Sequence, residues 1–121
     1  MKKNYLLLFF VSLLFTSCSN EHNPIIDDQG TNLVFFTDDG HYEKEISYYD
    51  AILELRKTYP TLVSKMKVVT PNDVHKLNKN LQVDKFPALM IVNKNEVIFS
   101  IEGALSKEEI VDPILLLLSS N

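Results

Sequence analysis

A chain of 121 residues holds one domain of ordinary size and no more. Its net charge of −4 gives no basic footprint of the kind a nucleic-acid binder needs. Three glycines cannot supply a phosphate-cradling loop, and a single cysteine cannot form a dithiol pair.

Met1-Lys2-Lys3 is a short basic start, Tyr5 to Phe15 is almost entirely apolar, and the small residues Thr16-Ser17 precede Cys18. This is the three-part layout of a secretory signal. The apolar stretch falls well short of the ~20 residues that cross a bilayer as a helix. With a cysteine at the cut, residues 1–17 resemble a bacterial lipoprotein signal peptide. That resemblance implies that Cys18 becomes the first residue of the mature chain and carries the lipid, palmitate included. The match departs at Phe15, where the family prefers leucine, valine or a smaller residue. Losing Lys2 and Lys3 takes the net charge from −4 to −6. An acidic domain is repelled by an anionic membrane surface, so it is expected to stand off on a tether. Residues 18–31 have the composition of that tether: Asn20, Asn23, Pro24, Asp27, Asp28 and Gly30, with only Ile25-Ile26 apolar.

The domain then occupies residues 32–121. Leu33-Val34-Phe35-Phe36 predicts a buried strand, ended by Thr37-Asp38-Asp39-Gly40. From Ile46 to Tyr59 the residues Tyr48, Tyr49, Ile52, Leu53, Leu55 and Tyr59 fall at helical spacings, with Pro60 as a stop signal. Met66 to Val69 reads as a second strand. Thr70 as N-cap, Pro71 at the first helical position and Asp73 in the first turn predict a helix to Leu81, with Val74, Leu77 and Leu81 on its apolar face. Polar residues end at Phe86-Pro87, and the runs Ala88–Val92 and Val97–Ile101 suit strands covered on both faces. Asn93-Lys94-Asn95-Glu96 between them is a tight hairpin, since asparagine tolerates positive φ. Gly103 then breaks the strand. Ser106-Lys107-Glu108-Glu109 has the spacing of a capping box before a last helix. Pro113 is expected to kink that helix, at ~3 kcal/mol if uncompensated.

A proline-led strand, a hairpin, a glycine and a closing helix, in that order, resemble the C-terminal half of a thioredoxin. With the β-α-β start, the resemblance extends over roughly Asn32 to Leu118. It implies an α/β fold with a four-stranded mixed sheet and helices on both faces. The first and last helices would share one face, and the 72–81 helix would cover the other.

The family's chemistry is missing. Where thioredoxins carry Trp-Cys-x-x-Cys, this chain reads Thr37-Asp38-Asp39-Gly40-His41-Tyr42-Glu43-Lys44, with neither cysteine nor tryptophan. Thiol–disulfide exchange needs an attacking thiolate. A chain whose sole cysteine is lipidated has none, so no enzyme activity and no cofactor are expected. One family feature needs no sulfur. In thioredoxins the backbone of the residue before a cis-proline pairs with an extended peptide, a general recognition mode. Carried over, that residue is Phe86, next to Pro87, and the candidate peptide site is bordered by Asp38, Asp39, His41 and Tyr42.

Other readings use the same residues. Asp38, Asp39 and His41 are three metal donors from one loop, without the distant fourth ligand of a closed site. The plainer role of the two aspartates is turn formation, their charge favouring the coming helix N-terminus. His22 and His75 sit among polar residues and read as solvated. Small size and a lipid anchor also resemble the small peptidoglycan-associated lipoproteins of bacilli. The expectation is therefore an extracytoplasmic, lipid-anchored module of the cell membrane that binds a peptide or envelope protein without redox chemistry. The alternatives are a metal-binding or enzymatic domain using the Asp38–His41 loop, or a structural envelope spacer.

The leader makes a direct prediction. Cys18→Ala is expected to abolish incorporation of labelled palmitate and to release or misprocess the protein. Unaltered membrane retention in a fractionation experiment would count against lipid anchoring.

Overall fold

The computed structural model describes residues 30–38 and 40–120. The leader, Cys18, nearly all of the tether and Asp39 lie outside them. The chain forms strand β1 (Thr31–Phe36), helix α1 (Tyr42–Thr58), a short helix α2 (Pro60–Ser64) and strand β2 (Lys67–Val69). Two 3-10 turns (Pro71–Lys76 and Lys79–Leu81) lead to β3 (Ala88–Asn93), β4 (Glu96–Glu102) and α3 (Lys107–Ser119).

The four strands make one sheet in the order β2-β1-β3-β4. β1 runs parallel to β2 and antiparallel to β3, and β3 is antiparallel to β4. The central pair is buried on both faces because its side chains alternate between two cores. Leu33, Phe35, Leu89 and Ile91 pack against Tyr48, Ile52 and Leu55 of α1 and Ile110, Val111 and Ile114 of α3. Val34, Phe36, Ala88, Met90 and Val92 face the opposite way, against Leu77 and Leu81. This is the α/β mixed sheet expected, with the first and last helices on one face.

Three elements differ from the sequence-based expectation. The segment after Thr70 is not one α-helix. Asn72, Asp73, Asn78 and Asn80 are poor helix formers, and the chain settles into two 3-10 turns separated by extended Leu77 and Asn78. Leu77 and Leu81 still reach the sheet, and Thr70 bonds the Asp73 carboxylate (3.2 Å) rather than capping a backbone N–H. Pro60 does more than stop α1. The residue before a proline avoids the helical region, so the helix breaks at Tyr59, and Pro60 then opens α2 at a position its fixed φ suits. Finally, β4 is an edge strand whose side chains are at most half-buried. A bulge at Ile91/Val92 leaves Ile98 as the extra residue, 37% exposed. Val97 therefore packs with the Leu77 core while Phe99 and Ile101 join the helix-side core.

The predicted hairpin and capping box are both present. Lys94 and Asn95 both take positive φ (52° and 68°) in the β3–β4 hairpin. Ser106 and Glu109 form a reciprocal capping box, their side chains meeting each other's backbone N–H at 3.1 and 2.9 Å. α3 runs on through Pro113, and Leu115, Leu117 and Leu118 pack on the core while Leu116 stays 72% exposed.

Stability should follow this division. Leu55→Ala, at a fully buried site on α1, is expected to lower unfolding free energy by about 3 kcal/mol. Leu116→Ala should change it by less than about 0.5 kcal/mol in the same urea titration.

Candidate functional site

The end of the sheet where β1 finishes and β3 begins brings the two sequence-predicted segments together. Phe36, the last residue of β1, is opposite Ala88, the first of β3. Thr37 and Pro87 each lie one residue beyond that pair, so the 37–41 turn and the 83–87 loop share one rim of the sheet.

The Phe86–Pro87 peptide bond is cis. Pro87 is buried, its carbonyl accepting a bond from Gly103 N–H (2.8 Å). The Phe86 ring meets Phe36 edge-on, with centroids 6.3 Å apart. The loop is fastened from β4: the Asp84 and Lys85 N–H groups donate to the Glu102 carboxylate at 3.3 and 3.2 Å. Gly103 takes φ +88°, a conformation that favours glycine, and its carbonyl accepts from the Tyr48 hydroxyl at 2.7 Å. Among the described residues no hydrogen bond engages the Phe86 backbone. Its N–H and C=O are therefore left to an incoming strand or to water.

Across the rim, Thr37 N–H donates to Val69 C=O (3.0 Å), and His41 N–H to Asp38 C=O (2.8 Å). His41 Nδ1 lies 3.1 Å from the Asp38 carboxylate. These two donors are thus engaged with each other, and among the described residues no group of three His, Cys, Asp or Glu side chains is placed to hold a metal. Tyr42 turns to the α1 side, its ring 6.0 Å from Tyr49. Phe86 packs on the opposite face of the sheet through Phe36. The candidate residues thus fall on two flanks of one turn: Phe86 and Pro87 on one, Tyr42 on the other, with Asp38 and His41 between.

A further residue, absent from the sequence-based candidates, sits at the root of this turn. Glu45 is only 3% exposed. Its carboxylate accepts from the Thr37 hydroxyl (3.0 and 2.8 Å), from the Asp38 N–H and from the Tyr49 hydroxyl (2.5 Å). The Glu43-Lys44-Glu45 run reads as a solvated first turn, which hides it. The available signal is spacing: Glu45 precedes Tyr48 by three positions and Ile52 by seven, on the line of the buried helix face.

The fold and this rim define a thioredoxin-like domain. The germline-specific thioredoxin Deadhead of Drosophila melanogaster superposes with a TM-score of 0.54 at 17% identity, over 75% of this chain and 83% of that one. A thioredoxin of Plasmodium falciparum superposes at a TM-score of 0.45 with 17% identity, over 81% and 88% of the two chains. No protein-family profile matches the chain. The chain belongs to the family of the Pal-related lipoprotein of Bacillus subtilis (strain 168), with which it is 36% identical over 90 residues, 74% of this chain and 69% of the relative.

Two tyrosines tie the rim to alkaline stability. Burial, with the Glu102 charge adding to it, pushes the Tyr48 hydroxyl up from 10.0 to about 12. The hydrogen bond to Glu45 pushes Tyr49 up to about 12. A phenol whose pKa is raised by folding stays neutral in the native state while the unfolded chain ionises. The stabilisation is complete below pH 10 and is lost as pH climbs from about 10 toward about 12. Urea midpoints measured across that window should fall, and Tyr48→Phe should make the fall shallower.

Proposed function

We propose that this protein is a membrane-anchored, extracytoplasmic lipoprotein whose thioredoxin-like domain holds an extended peptide or envelope protein without thiol chemistry. The observation that carries the reading is the Phe86 backbone, unengaged among the described residues, beside buried Pro87 on the rim shared with the 37–41 turn. An extended segment laid there gains main-chain hydrogen bonds, with the half-buried Phe86 ring bordering it. The lipoprotein part rests on the leader ending at Cys18 and on the Pal-related relative. The absence of redox work rests on composition. The sequence holds one cysteine, and once lipidated its sulfur is a thioether rather than an attacking thiolate. Among the described residues no helix is long and apolar enough to cross a membrane.

Site-specific photocrosslinking in intact cells tests the binding role. A crosslinker at Phe86 should capture a discrete envelope partner, and one at exposed Glu108 on α3 should not. Equal capture from both positions, or none from Phe86, would leave only a spacer. Insulin disulfide reduction by the purified protein would sink the redox-free reading independently.

A further inference from the structure

Glu45 is the one buried acidic side chain among the described residues, and no cation there pairs with it. The ion pairs among those residues join Asp38 to His41, Glu54 to Lys57 and Lys107, and Asp73 to Lys76. Its three donors (the Thr37 hydroxyl, the Asp38 N–H and the Tyr49 hydroxyl) are all neutral. They hold a carboxylate in place and leave its charge uncompensated, an expensive arrangement in a protein interior unless a cation is supplied. Glu45 lines a cavity of about 300 Å³ with Thr37, Gly40, Tyr42 and Tyr49. Tyr42 is 69% exposed and Tyr49 37%, their rings tilted 41° to one another. Aromatic faces carry the negative part of the ring quadrupole and attract cations, ammonium groups among them.

We propose that this cavity binds an alkylammonium group, that of a lysine side chain in an extended peptide, beside the Tyr42–Tyr49 ring pair and next to Glu45. An adjoining apolar groove of about 360 Å³ shares Thr37 and Tyr49 and continues along Phe35, Ile52 and Leu53. It takes the lysine stem and an aliphatic neighbour, so the preferred ligand is lysine flanked by leucine-like residues. The site lies on the Phe35 side of the sheet, opposite Phe86, and does not depend on the reading of that residue.

The test is calorimetric titration of the full-length protein in detergent with acetyl-leucyl-lysyl-leucinamide, its norleucine analogue and n-butylammonium. The lysine peptide should bind about tenfold more tightly than the norleucine peptide, and less tightly as salt is raised. Glu45→Gln keeps an acceptor oxygen for Thr37 and Tyr49 but removes the charge, and should erase that preference. Tyr42→Leu, at an exposed position, should weaken the lysine peptide about fivefold. Butylammonium matching the lysine peptide would make a free amine the ligand of the same site. Equal binding of the lysine and norleucine peptides, or a preference that survives in E45Q, overturns the proposal. Should E45Q fail to fold, unchanged lysine-peptide affinity in Tyr42→Leu overturns it equally.

Discussion

β1 and β3 pair antiparallel over their full length, from Thr31 opposite Asn93 to Phe36 opposite Ala88. Both strands are covered on both faces, so a shift of one residue would exchange the two cores wholesale. That register places Thr37 and Pro87 on the same rim. The turn after β1 and the loop before β3 become neighbours although 41 residues of chain, 42–82, separate them. Neither segment has regular structure of its own. Their positions are borrowed from the most buried pair of strands among the described residues.

Each side of the rim is tied down by a carboxylate that meets backbone N–H groups. On the β4 side Glu102 receives the N–H groups of Asp84 and Lys85 and so sets the approach to Pro87. On the α1 side Glu45 receives Asp38 N–H together with two hydroxyls. Charge-assisted bonds of this kind are stronger than neutral ones and have defined direction. Where a redox thioredoxin spends its helix N-terminus on a cysteine, this chain presents Tyr42 there and uses the first turns of α1 to hold the loop.

The two faces of the sheet give this rim two different flanks. Phe36 leads to Phe86 and the unengaged backbone beside Pro87, whereas Phe35 leads to Tyr49, Tyr42 and the buried carboxylate. Adjacent residues of a strand point to opposite faces, so two consecutive phenylalanines suffice to set the two flanks apart. An extended ligand could engage one flank without crowding the other.

Much of the architecture was legible because it is written in local chemistry. Alternation and apolar runs marked β1 and β3, the S-x-x-E spacing marked α3, and asparagines marked the hairpin. Gly103 stood where φ is +88°. Local chemistry misled where two rules competed: Pro60 ends one helix and begins the next, and Asn-rich 72–81 has a helix-start signature without the propensity to continue. The run Val97–Ile101 looked doubly covered because composition does not say which strand lies at an edge, nor that a bulge will turn Ile98 outward. Sequence alone determined the absence of a second cysteine, the apolar core runs and the order of strands, since each depends only on residue type and near neighbours. Only the tertiary structure decided that Glu45 is buried, that Tyr42 joins Tyr49 rather than Phe86, and that Phe86 keeps its backbone unengaged among the described residues. Those facts depend on which distant atoms fill the space around a side chain, and that space exists only once the sheet register and the helix packing are set.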